Sequence, residues 1–139
     1  MELESWSRPA RGLRRYVHLV AEELGCSGDA FWVQTEAPVS AYLPMEERLP
    51  RHPNRDLALL WDERHGWCLA METASGEDLI VVSYFGHSHV PPPRVVAAFV
   101  AQLLAGGAAG QSEPPAFETA PADLGAALGR YAPAFQLAG

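Results

Sequence analysis

Apolar residues first recur at helical spacing. Leu13, Tyr16, Val17, Val20 and Leu24 fall on one stripe and predict a helix over Arg8–Leu24. Ser7 is placed to cap it, Pro9 suits its first turn, and Gly25 is the expected stop. The period then shortens to two. Five strand-like runs follow, at Phe31–Glu36, Val39–Met45, Leu57–Asp62, Trp67–Thr73 and Leu79–Phe85. Leu57, Leu59 and Trp61 alternate with Ala58 and Leu60; Trp67, Leu69 and Met71 alternate with Cys68 and Ala70. Short runs of this kind predict an antiparallel sheet with one buried face. Asp62-Glu63-Arg64-His65-Gly66 reads as a hairpin loop, with Gly66 free to take a positive φ. Ala74–Asp78 reads as the next, and Met45–Asp56 as a longer irregular connection.

Helical spacing returns over Pro93–Leu104, where Val95, Val96, Phe99, Val100, Leu103 and Leu104 form a wide apolar face. Gly106-Gly107 ends it. Gly106–Ala122 has linker composition, and a last short helix is expected over Asp123–Tyr131, docked on its own domain or on a partner. The organisation is one domain over 1–105, a linker over 106–122 and a tail over 123–139. The fold class is α+β: an N-terminal helix, a five-stranded antiparallel meander, and a C-terminal helix packed on one sheet face. So few helices cover only one face. Trp32, Tyr42, Tyr84 or the Trp61/Trp67 pair are the candidates to line the other, as a dimer interface or ligand groove.

Composition narrows the class. A chain of 139 residues, 48% apolar, builds one core without metal or disulfide staples. The net charge of -7 repels phosphate, so nucleic acid and anionic membrane are poor partners. All ten basic residues are Arg, which excludes Schiff-base and Lys-base chemistry. There are two cysteines, Cys26 and Cys68, an acidic N-terminus without a signal sequence, and no apolar run long enough to cross a membrane. These features predict a cytoplasmic protein.

Candidate chemistry is sparse. His87-Ser88-His89 puts two imidazoles near one point, but zinc needs three or four ligands and no other His or Cys has ligand spacing. No metal and no cofactor is therefore expected. Gly25-Cys26-Ser27-Gly28 follows a helix rather than a strand and is a turn, not a nucleophile elbow. Asp62 and His65 supply a carboxylate beside an imidazole, the minimum for acid/base work, flanked by Trp61 and Trp67. Arg8, Arg11 and Arg15 share a stripe at the wrong end of the first helix for its dipole. They make a local basic patch suited to a carboxylate-rich partner, or a solvated face neutralised by Glu2 and Glu4.

Ala41-Tyr42-Leu43, Arg48-Leu49-Pro50, His52-Pro53, Arg55-Asp56-Leu57 and Leu60-Trp61-Asp62-Glu63-Arg64-His65-Gly66-Trp67, with Pro91–Leu104, form a further pattern. In it the chain resembles an uncharacterised, mainly actinobacterial family of small proteins of unknown function, over roughly Leu13–Ala105. The resemblance implies no activity. It does imply that Arg55, Asp56, Trp61, Asp62, His65 and Trp67 belong to a shared feature. The leading expectation is a non-enzymatic binding or accessory module acting through protein–protein contact, with itself as a homodimer or with another protein. The alternative is a small-molecule-binding domain or small hydrolase or isomerase. Asp62 and His65 would then be its acid/base pair, and Arg55 would hold an anionic substrate.

Overall fold

The computed structural model describes residues 1–26, 31–73, 75 and 78–133. Among them are three helices, α1 (Arg8–Glu23), α2 (Pro93–Leu104) and α3 (Pro121–Gly129), and five strands. The strands are β1 (Trp32–Gln34), β2 (Ser40–Met45), β3 (Leu57–Asp62), β4 (Gly66–Glu72) and β5 (Leu79–Tyr84). They form one antiparallel meander in the order β1-β2-β3-β4-β5. The α+β arrangement read from the sequence is the one observed.

Local chemistry accounts for the boundaries. Ser7 caps α1, its hydroxyl accepting from the Ala10 N–H at 3.3 Å. Gly25 and Gly106 follow α1 and α2 at φ 73° and 86°, conformations that other residues resist. β1 is shorter than the Phe31–Glu36 run. The Gln34 side chain donates to the Glu36 and Pro38 carbonyls, turning the chain instead of extending the ladder. Two arginines of α1, Arg11 of the basic stripe and its neighbour Arg14, find backbone partners. Arg11 Nε donates to the Trp6 carbonyl at 3.1 Å, and Arg14 donates to the Ser5 carbonyl and hydroxyl. They fasten the N-terminal segment to the helix.

One sheet face carries Ala41, Leu43, Met45, Leu57, Leu59, Trp61, Trp67, Leu69 and Met71. These join Leu13, Tyr16, Val17, Val20, Val96, Phe99 and Val100 in a single core. The 106–122 stretch read as a linker does not simply trail away. The Gln111 N–H and carbonyl exchange bonds with Tyr84, and the Ser83 hydroxyl donates to the Ala109 carbonyl at 2.6 Å. The chain then returns to dock α3 on α1 through buried Leu124 and Leu128. Gly12 permits that contact, since a Cβ there would lie 1.8 Å from the Leu128 carbonyl oxygen.

Candidate functional site: the open sheet face and the hairpin at its end

The Asp62–Gly66 hairpin is built by its own side chain. Asp62 Oδ1 accepts from the backbone N–H groups of Arg64 and His65, both at 2.8 Å. Gly66 takes φ 64° and pairs with Asp62 across the ladder. An Asp opening a tight turn and a left-handed Gly closing it is the geometry of a three-residue β-hairpin loop. Asp62 Oδ2 lies 3.2 Å from His65 Nδ1, with each side chain about one third exposed. The expected carboxylate–imidazole contact therefore forms, but the carboxylate also holds the turn.

The two flanking tryptophans are not on the open face. Trp61 and Trp67 sit opposite each other in the ladder, on the helix-covered side, and both are 0% exposed. Trp61 Nε1 donates to the His89 carbonyl at 2.9 Å, and Trp67 Nε1 donates to the Tyr16 hydroxyl at 2.9 Å. That hydroxyl donates in turn to the Pro91 carbonyl. Buried indoles need such partners. Both rings thus anchor the segment entering α2, and the expectation that they meet a partner or wall a pocket is corrected.

The open face is lined instead by a row crossing all five strands. Trp32 pairs with Tyr42, Tyr42 with Leu60, Leu60 with Cys68, and Cys68 with Tyr84. Trp32 is 62% exposed and stacks on Tyr42, with centroids 4.7 Å apart and planes at 17°. The next row, Pro44, Ala58, Ala70 and Val81, is small and apolar. Acids rim the face. Burial, then the charges of Glu72 and Asp56, raises the Tyr42 hydroxyl pKa. Burial, then Cys68, Asp62 and Glu113, raises that of Tyr84. Cys68 lies under this surface, its thiol pushed up to about 12 by burial and by Asp62. Cys26 is raised by burial and by Glu47 and Glu46. Neither is a ready nucleophile at neutral pH.

The remaining candidates are scattered. Arg55 and Asp56 precede β3 while Asp62 ends it, so the length of the strand, roughly 20 Å, separates them. Arg55 cannot hold a substrate between Asp62 and His65. Asp56 pairs with Arg48 at 2.8 Å. In the basic patch, Arg15 is exposed, Arg8 lies against α3 at Gly129, and Arg11 is committed to Trp6. His87 is exposed and meets Phe85 edge-on, whereas His89 is buried between Trp61 and Phe117. The two imidazoles do not converge. Among the described residues no group of three or more His, Cys, Asp or Glu could hold a metal ion, and no helix is long and apolar enough to cross a membrane.

The sequence marks Glu63 only as a turn residue and His89 only as half of a histidine pair, not as buried groups. Glu63 Oε1 pairs with the Met1 ammonium at 3.1 Å, while its Oε2 is buried without a partner. Both His89 ring nitrogens are likewise buried without a partner, and burial lowers its pKa. A cleft of about 560 Å³, bordered by Glu63, His65 and Phe117, opens beside them. Nothing in local periodicity marks these residues, because distant segments create their environments.

The fold and face define an α+β protein with a half-covered antiparallel sheet. Residues 16–102 match the family described as "Family of unknown function (DUF6292)", and the chain belongs to it. No curated protein and no solved structure matches the chain.

Proposed function

We propose that this protein is a non-enzymatic binding module that engages another protein through the open face of its sheet. The observation carrying this reading is the cross-strand row Trp32–Tyr42–Leu60–Cys68–Tyr84 on the sheet face opposite the core, with Trp32 exposed, Tyr42, Leu60 and Tyr84 half-buried and Cys68 beneath them. Aromatic side chains with few rotatable bonds are favoured interface anchors. The rim of Asp56, Asp62, Glu72 and Glu113 and the net charge of -7 favour a partner whose apolar patch is bordered by Lys or Arg. Two free thiols suit a reducing cytoplasm, and the Lys-free, Arg- and Ala-rich composition suits an actinobacterial, GC-rich coding sequence. A photo-crosslinking residue at Tyr42 in the native host should trap a protein, whereas one at exposed Arg15 on α1 should not. Trapping at Arg15 and not at Tyr42 would overturn the reading.

A second reading rests on the Asp62–His65 contact beside the 560 Å³ cleft. It makes the protein a small-molecule-binding domain, or a small hydrolase or isomerase, with that pair as acid and base. Two observations weigh against it: Asp62 holds the turn, and Arg55 is at the far end of β3. Native mass spectrometry of protein from its host tests it. A bound small molecule lost in Glu63→Gln and His65→Ala variants would favour it over the open face.

A further inference from the structure

β5 is an edge strand, and half of it is covered. Gln111 pairs with Tyr84, and Ala109 accepts from the Ser83 hydroxyl. On the side away from β4, no described segment pairs with Leu79–Val82. This uncovered half carries three consecutive exposed hydrophobics, Leu79 at 39%, Ile80 at 49% and Val81 at 36%. Edge strands in monomers are ordinarily protected by a charge, a proline, extreme shortness or a covering segment. β1, at the opposite edge, has only three residues. Leu79–Val82 has no charge and no proline, in a chain of net charge -7.

The backbone direction follows from the ladder. The Glu72 N–H donates to the Asp56 carbonyl, away from β5, and the Thr73 N–H donates to the Asp78 carbonyl, toward it. Glu72 pairs with Leu79 and Ala70 with Val81. Antiparallel alternation therefore aims the main-chain groups of Leu79 and Val81 outward and those of Ile80 inward.

We propose that two copies of this chain pair antiparallel along β5, about a two-fold axis at Ile80, to form one continuous sheet. In that register Leu79 of each copy faces Val81 of the other. Both residues present outward N–H and C=O groups, so two pairs exchange about four backbone hydrogen bonds. Leu79 meets Val81 on the open face, and Ile80 meets its own mate on the helix side. Asp78 falls opposite Val82 rather than opposite another Asp78, so no like charges oppose one another across the seam. The interface is isologous and closed, as a two-fold requires. The pairing uses the sheet edge, not the aromatic row, and is independent of the open-face reading.

Sedimentation velocity over a concentration series of the full chain tests this. The wild-type mass should rise toward twice that of the monomer. Ile80→Lys and Ile80→Glu, at an exposed position, should each remain monomeric with an unchanged thermal melt. Mixed together, the two variants should recover a dimer, because position 80 faces itself. A wild-type monomer at hundreds of micromolar would overturn the proposal. So would dimerisation of Ile80→Lys alone at wild-type strength, or a dimer lost in Trp32→Ala but retained in Ile80→Lys.

Discussion

The Trp67 indole N–H donates to the Tyr16 hydroxyl at 2.9 Å, joining β4 to α1 across 51 positions of sequence. The same hydroxyl donates to the Pro91 carbonyl, so one buried oxygen ties together a strand, a helix and the approach to a second helix. Burial raises the Tyr16 pKa, and the hydroxyl stays protonated and able to donate. Tyr16→Phe keeps the ring but leaves a buried N–H and a buried carbonyl unpaired. The expected loss is about 1–3 kcal/mol. Urea denaturation followed by tryptophan fluorescence measures it; a loss near zero would mean water replaces the hydroxyl.

α3 depends on a missing side chain. A Cβ at Gly12 would lie 1.8 Å from the Leu128 carbonyl oxygen, which is backbone and cannot rotate away. Gly12→Ala should therefore push α3 off α1, although alanine favours helix. Overpacking of this kind costs roughly 1–3 kcal/mol. Limited proteolysis should then cut the chain between 106 and 121 faster than in wild type, with the sheet intact. Equal cleavage rates would show that α3 shifts as a body to accept the methyl group.

Asp62 separates a structural role from a catalytic one. It satisfies two backbone N–H groups of the hairpin. Asp62→Ala should cost about 1–2 kcal/mol, as loss of comparable side-chain caps does. Asp62→Asn keeps an oxygen acceptor and should cost less. A residue reserved for acid/base work would show the reverse, with stability untouched by either change.

His89 makes stability depend on pH. The ring is stacked between Trp61 and Phe117, with centroids 5.8 and 4.7 Å away, and both nitrogens are buried without partners. The nearby Glu63 backbone, too poorly placed for a full hydrogen bond, and the charges of Asp62 and Glu63 favour its charged form, yet burial outweighs them and its pKa falls below 6.5. The unfolded chain then binds the proton more readily than the folded one. This contribution to stability is complete above pH 6.5 and is lost as pH falls through the lowered folded pKa. His89→Phe keeps an aromatic ring in the stack and removes the titration. Its melting temperature should decline less than wild type between pH 7 and pH 5; parallel declines would assign the acid sensitivity elsewhere.

How much of this was legible differs from element to element. β3 and α2 have the bounds that periodicity predicts, and the Asp62–Gly66 hairpin follows from turn chemistry. Alternation also groups Trp61 and Trp67 with Leu57, Leu59 and Leu69. It does not say which side the helices cover, because Ala58, Leu60, Cys68 and Ala70 are apolar too. The aromatic row became visible only through register, which aligns Trp32, Tyr42, Leu60, Cys68 and Tyr84. Composition alone makes 106–122 resemble a linker. Its pairing with Tyr84, like the fit of Leu128 over Gly12, is a contact between distant segments that local patterns do not encode.

Trp32 and Trp61 provide the sharpest contrast between surface and core. Trp61 is fully buried, and its replacement by Ala should cost about 3–5 kcal/mol of stability. Trp32 is 62% exposed and touches its neighbours through the Tyr42 stack, a cross-strand pair worth about 0.2–1 kcal/mol. Trp32→Ala should leave the thermal melt nearly unchanged. As an aromatic anchor at an interface it should instead weaken partner binding by about 2 kcal/mol or more, on the order of thirtyfold in affinity. Titrating the crosslink-identified protein against both forms by calorimetry reads this directly. Equal affinities would remove Trp32 from the binding surface, since an anchor that can be deleted without effect is not one.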